Sequence, residues 1–325
     1  MINISSTNWQ RELRNAIHNP VHLLSLLELS DRLLTETIVA KQRFMLRVPK
    51  GYVARMRKGD PDDPLLRQVL PLVEENKRLQ GFSLDPIGDV VAEKVSGLLH
   101  KYQGRVLWIT TGACAIHCRY CFRQHYNYSS HSSNQAVLDA IRADSSLSEV
   151  ILSGGDPLVL DDSYLSELAQ SLARISHIQR LRLHTRCPIV LPERVNDELL
   201  AWLTKTRFQV IMVVQANHPN ELNESVNQAL QRLVEAGITV LNQSVLLRGV
   251  NDNAATLIAL SEALFKSRVL PYYLHLLDPV QGSVHFNVSE KNALVLLEQM
   301  RIALPGYLVP SMVREVAGMA YKKPI

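Results

Sequence analysis

The chain is poor in cysteine, in aromatic residues and in charge. Of its 325 residues, four are cysteine, 6% are aromatic and 20% are charged. So few cysteines in so long a chain exclude a disulfide-built scaffold. No run of about 18 apolar residues occurs, which excludes a membrane-spanning helix. The opening stretch, MINISSTNWQRELRN, lacks the apolar core of a secretory signal. A cytoplasmic location is expected, where thiols stay reduced. The net charge of +4 is mild and spread along the chain, so basic pieces such as 41–47 and 55–58 read as solvated faces, with no nucleic-acid or membrane partner expected. A hydrophobic share of 46% excludes a disordered class. The length suits one large α/β domain with an appendage.

Three of the four cysteines stand together. The stretch Gly112-Ala-Cys-Ala-Ile-His-Cys-Arg-Tyr-Cys-Phe-Arg123 places Cys114, Cys118 and Cys121 in the spacing CxxxCxxC. Thiolates crowded on one short loop repel one another and oxidise readily, so their use is to hold a soft metal centre. A [4Fe-4S] cube takes four ligands, and three cysteines leave one iron open to a small molecule. A structural zinc site takes paired CxxC units and closes its fourth position. The fourth cysteine, Cys187, is either the missing ligand or a small buried residue at a strand end.

Residues 1–95 carry amphipathic helical patterns, such as 21–34, broken by prolines at 60–64 and 84–86, and show no alternating sheet pattern. They are expected to form a mainly helical wrap. From Arg105 the pattern alternates. Apolar β-rich runs at 105–111, 149–153, 180–185, 208–214, 239–247 and 270–274 are separated by helical patterns at 134–143, 162–175, 197–205, 221–236 and 254–267. This predicts an α/β fold: an open, partial (β/α)6 barrel over 96–290, whose right-handed crossovers bring the strand C-termini to one mouth, followed by a C-terminal helix and tail at 291–325.

The strand ends then hold the candidate site. The cysteine loop leaves the first. The second ends in Leu152-Ser-Gly-Gly-Asp-Pro-Leu158, where two glycines let the backbone approach a ligand and leave N–H groups free to bond it, or simply make a turn. Asn217 and Gln243 are amides at the inward ends of apolar strands, and either a ligand or loop capping satisfies them. Asp278 follows the sixth run, as a helix cap or the holder of a cationic group.

The cysteine motif, with an aromatic residue before its third cysteine, resembles that of the radical S-adenosylmethionine (SAM) enzymes. In them the open iron binds the amino and carboxylate groups of SAM, and reductive cleavage releases a 5′-deoxyadenosyl radical. Four segments together, HKY-x-x-R before the cluster, SGGDPL, NQSVLLRGVND and PYY-x-x-x-x-D with a later HF, resemble the lysine 2,3-aminomutase family from about Leu98 to the C-terminus. The stretches 46–49 and 59–69 resemble its short bacterial branch, which makes β-lysine for attachment to elongation factor P by a separate ligase.

The resemblance implies a radical SAM, pyridoxal 5′-phosphate (PLP)-dependent isomerase acting on L-lysine, with a [4Fe-4S] cluster on the three cysteines and an external electron donor. It puts Ser153, Gly154, Gly155 and Asp156 at SAM, with Gln215, Asn217 and Gln243. Gln215 stands where the family commonly has histidine. Lys322 takes the position of the PLP-holding lysine, with Lys323 as the adjacent rival; Lys101, Tyr102 and Arg105 face the PLP phosphate. Arg123 pairs with the substrate carboxylate, and Asp278 and Glu315 bind its distal ammonium, Glu315 replacing a family aspartate. Two rivals stand beside this reading. One is a radical SAM enzyme of another type without PLP, Lys322 being a plain tail residue. The other is a non-catalytic zinc or iron-sulfur module completed by Cys187.

Overall fold

Runs such as Val106-Leu-Trp-Ile109 and Val150-Ile-Leu152 are apolar on both faces, the signature of strands covered on both sides. In the computed structural model, which describes residues 8–29, 33, 37, 45–129 and 132–325, these runs form the middle of one ten-stranded sheet. Its strands are β1 (Glu93–Val95), β2 (Leu98–Tyr102), β3 (Arg105–Thr111), β4 (Glu149–Gly154), β5 (Arg180–His184), β6 (Gln209–Val214), β7 (Thr239–Leu246), β8 (Leu270–Leu276), β9 (Ser311–Arg314) and β10 (Lys323–Pro324). They follow one another in sequence order, with β1 and β10 as the two edges. The sheet is open, not closed on itself.

All pairings from β3 to β9 are parallel. Helices Asn134–Ala143, Asp162–Ala173, Asp197–Lys205, Glu224–Glu235, Ala254–Lys266 and Glu290–Ala303 follow β3 to β8 in turn, so the six expected β/α units are present. Five of these six helices begin at a Ser or Asn whose side chain accepts from a backbone N–H of the first turn: Ser133, Asn196, Asn223, Asn253 and Ser289. Such caps satisfy donors that the helix itself cannot. Their apolar faces are buried against the strands, Leu230 and Leu233 in the main core and Leu297 and Met300 in a second, smaller cluster.

The sheet exceeds the expectation at both ends. β1 and β2 pair antiparallel before β3, so sheet begins ahead of Arg105. β9 adds a seventh parallel strand, and β10 folds back antiparallel on it. These strands are two to five residues long, too short for period-2 alternation to declare itself.

The described part of the N-terminal region is a wrap of short helices, Asn8–Arg14, Pro20–Leu26, Lys50–Val53 and Pro64–Arg67. The expected helix at 21–34 matches the described residues only to Leu26; beyond Leu29 it lies mostly outside them, as do 41–44 of the basic piece at 41–47 and residues 1–7. The wrap is bonded to the barrel: Ser83 N donates to Pro279 O at 2.9 Å and Ser83 O accepts from Gln281 N at 2.9 Å. Among the described residues, no helix is long and apolar enough to cross a membrane.

Candidate active site

The strand C-termini surround a cavity of about 770 Å³. Every candidate residue from the sequence lines it: the three clustered cysteines, the 153–156 segment, the amides 215, 217 and 243, the basic and phenolic trio 101, 102 and 105, and Arg123, Asp278, Glu315 and Lys322. Two rivals do not. Cys187 is fully buried in the main core, and Lys323 is exposed on β10.

The cysteine loop is seated from three sides. Arg47 Nη1 donates to Cys114 O at 3.1 Å, and Arg119 N donates to Gln68 O at 2.9 Å. Arg119 also pairs with Glu75, Nε to Oε1 at 2.8 Å. The third side is the 153–156 segment. Gly155 N donates to Thr111 O at 2.7 Å and Asp156 N to Ala113 O at 2.8 Å. A Cβ on Gly154 would lie 2.5 Å from Thr111 O, and one on Gly155 2.1 Å from Ala113 O. The expectation of N–H groups free for a ligand is therefore corrected for Gly155 and Asp156. The glycines let the β4 loop lie against the cysteine loop.

Asp156 is also committed to the protein. Its Oδ1 accepts from Leu158 N at 3.0 Å and Thr185 Oγ1 at 2.6 Å, and its Oδ2 from Arg186 N at 2.7 Å and Cys187 N at 3.1 Å. Four donors fill the carboxylate, so it ties the β4 and β5 loops together instead of reaching a ligand. Asn217 is likewise used up as a cap, with Nδ2 on Gln68 Oε1 (3.0 Å) and Tyr120 OH (2.7 Å) and Oδ1 accepting from Val245 N (2.8 Å). The Gln215 and Gln243 amides have no protein partner among the described residues and face the cavity.

The three thiols are free and part-exposed. Burial, then neighbouring Cys118, pushes Cys121 up to about 11, and burial raises Cys114 well above the ordinary thiol value. Ligation to a cationic iron core reverses such shifts, because coordination removes the proton. Three soft donors on one loop fit a polynuclear cluster.

The opposite wall centres on Glu315. Its Oε2 accepts from Lys322 Nζ at 2.7 Å and its Oε1 from Lys101 Nζ at 3.1 Å, and Tyr102 hydrogen-bonds it as well. Burial would raise this carboxyl, but Lys322 and Lys101 hold it down at about 2. Lys101 also donates to Ile87 O at 2.9 Å and forms an ion pair with Asp89 Oδ1 at 2.6 Å, so its charge is shared between two carboxylates. Lys101, expected at the phosphate, and Glu315, expected at the ammonium, are thus bonded to each other on the cavity wall. Arg123, buried, pairs with Asp89 at 2.7 Å and reaches Ser153 Oγ at 3.4 Å.

Other groups on this wall are unpartnered. Arg105 stacks on the Tyr102 ring at 4.6 Å, and its guanidinium makes no hydrogen bond or ion pair among the described residues. His184 Nε2, His275 Nε2 and Asp278 Oδ1 are buried without a partner. Burial pushes Asp278 up to about 7, with Glu315 adding to the rise, and burial lowers both histidines well below the usual imidazole value. Such orphaned atoms around a lysine fit a polar, ring-bearing cofactor and a cationic substrate. His184, Arg182 and Asp89 went unnoticed in the sequence. For the first two a signal existed: Arg180-Leu-Arg-Leu-His184 alternates, so its polar members share the cavity face.

Comparison with known proteins gives three findings. Residues 108–260 match the profile of the Radical SAM superfamily. An L-lysine 2,3-aminomutase of Haemophilus influenzae is 45% identical over 96% of this chain and 93% of its own, and one of Escherichia coli is 44% identical over 99% and 95%. An L-lysine 2,3-aminomutase of Clostridium subterminale is 32% identical over 98% of this chain and 77% of its own.

Proposed function

The chain belongs to the lysine 2,3-aminomutase family of radical SAM enzymes, and from that premise we propose that it moves the α-amino group of free L-lysine to the β-carbon, giving β-lysine. The observation that carries the reading is the single cavity that joins three free thiols to a half-buried lysine and an unpartnered carboxylate. When bound, the cluster and SAM supply hydrogen-atom abstraction from an unactivated carbon, and PLP supplies a conjugated ring that carries the migrating nitrogen.

The chain's own residues position and exclude. Cys114, Cys118 and Cys121 hold the cluster, with Gln215 and Gln243 toward SAM. Lys322 holds PLP; of the expected phosphate trio, Arg105 has the free guanidinium that a dianion needs. Arg123, swung between Asp89 and the substrate, pairs with the carboxylate in bidentate fashion. Asp278 receives the distal ammonium, which lowers its raised pKa and ionises it. The wrap and the β8 loop keep water from the cavity. The reductant is an external one-electron donor in a reducing compartment such as the cytoplasm, and the product serves the modification of elongation factor P by a separate ligase.

The test is anaerobic incubation of reconstituted protein with SAM, PLP, dithionite and L-lysine. β-Lysine on chromatography, dependent on all three cofactors, is the expected result; product formed without PLP would favour the rival radical SAM chemistry.

A further inference from the structure

Arg186 is a cation without an assignment in this chemistry. It sits just beyond β5, 4% exposed, and its backbone N–H is fixed by Asp156. Its Nη1 donates to Cys118 Sγ. The other terminal nitrogen, Nη2, donates to Gln68 Oε1 at 2.6 Å and Glu221 Oε2 at 2.9 Å, with Tyr52 OH, 3.3 Å away, sharing one of those hydrogens. The Tyr52 and Tyr120 rings flank the guanidinium, each centroid 5.7 Å away.

These partners leave the guanidinium one direction to point. Gln68 has no freedom of its own, because its Nε2 bonds Pro64 O and Glu221 Oε1. Glu221 is fully buried, its Oε1 also accepting from Asn217 N. An arginine for structural pairing alone needs only its carboxylate. Here one edge is locked by the carboxylate and amide, and the other is aimed at a ligand sulfur from inside the protein.

We propose that Arg186 is a positioning residue that sets the reduction potential of the cluster through its hydrogen bond to the Cys118 sulfur, and that Glu221 trims the effect. The physical basis is general: hydrogen bonds to cluster sulfurs, net local charge and solvent exclusion set iron-sulfur potentials. Reduction adds one electron from an external donor, and a [4Fe-4S] core passes from 2+ to 1+. No bond forms or breaks, and Arg186 keeps its proton. A buried cation at the ligand sulfur stabilises the more negative state, so it makes the cluster easier to reduce. Tyr52 and Gln68 come from the N-terminal wrap, which is thereby part of the redox site as well as a cover.

The inference rests on the cluster assignment, and its test separates the two. The full chain is reconstituted anaerobically with iron and sulfide, its iron counted, and its cluster titrated potentiometrically while the reduced signal is read by electron paramagnetic resonance. At the wild-type midpoint, Arg186→Gln lowers the reduced-to-oxidised ratio about tenfold or more, which is about 59 mV for one electron. Glu221→Gln, which leaves the cation uncompensated, shifts the ratio the other way. A change confined to packing would not produce shifts of opposite sign. Arg186→Gln with wild-type iron content and a ratio within about twofold of wild type overturns the proposal and leaves the cluster assignment intact. Should Arg186→Gln take up no iron, Glu221→Gln decides: a raised ratio supports the proposal, an unchanged or lowered one overturns it. A wild-type chain that holds no iron overturns both.

Discussion

The two walls of the cavity differ in what they leave unfinished. Around the cysteine loop, Asp156, Asn217, Gln68 and Glu221 are filled by protein donors and acceptors, the Nε atoms of Arg186 and Arg47 being the exceptions. Across from it, His184, His275, Asp278 and Arg105 present polar groups to the cavity with no hydrogen-bond partner among the described residues. An unmade buried hydrogen bond costs about 1–3 kcal/mol. The first wall is therefore a finished scaffold that receives a preformed inorganic group, and the second holds its energy in reserve for ligands.

That contrast can be broken at either wall. The largest effect is expected at the ligand wall: Lys322→Ala should abolish PLP retention and lower β-lysine formation by at least about 10³-fold, as loss of a covalent anchor does, while Lys323→Ala leaves both intact. Visible absorbance of the PLP-loaded protein and product chromatography read the pair. Next is the scaffold wall. Gly155→Ala sets a Cβ against Ala113 O and should cost about 1–3 kcal/mol of stability together with iron content, measured by thermal unfolding and iron assay.

Asp278→Asn removes a charge that the substrate ammonium needs. A charged hydrogen bond contributes about 1.5–3 kcal/mol, so KM for lysine should rise roughly 10- to 150-fold with iron content unchanged. The same residue sets a pH dependence. With its carboxyl at about 7 before substrate binds, kcat/KM for the wild type should climb with pH through about 7, and the asparagine variant should lose that limb. Glu315 gives the opposite kind of linkage. Its folded value of about 2 lies below its ordinary 4.5, so its lysine pairs stabilise the fold above about pH 4.5, and the gain is lost as pH falls toward about 2. Glu315→Gln should narrow the stability difference between pH 5 and pH 3 in acid denaturation, the smallest of these effects.

Much of this was legible along the chain. The CxxxCxxC spacing marks one wall without help from the fold, because three ligands on eight residues are a local matter. The six β/α units were equally readable, since periodicity and capping are written in neighbours a few residues apart. β9 and β10 were missed for want of length. The occupancy of the site residues was not readable at all. Lys101 and Glu315 are 214 residues apart, and nothing in HKY-x-x-R says that its lysine will be held by carboxylates; Arg186 and Cys118 are 68 apart.

By itself, then, the order of residues determined which chemistry is carried and at which strand ends, because donor type and short-range spacing survive any folding. The tertiary structure alone decided which of those side chains are held and which are offered. Asp156 and Lys101 became parts of the frame, whereas Asp278 and Arg105 stayed open. The reason is physical: a hydrogen bond is filled by whatever the fold brings within about 3 Å, and the curling of an open parallel sheet brings together partners that no local pattern names.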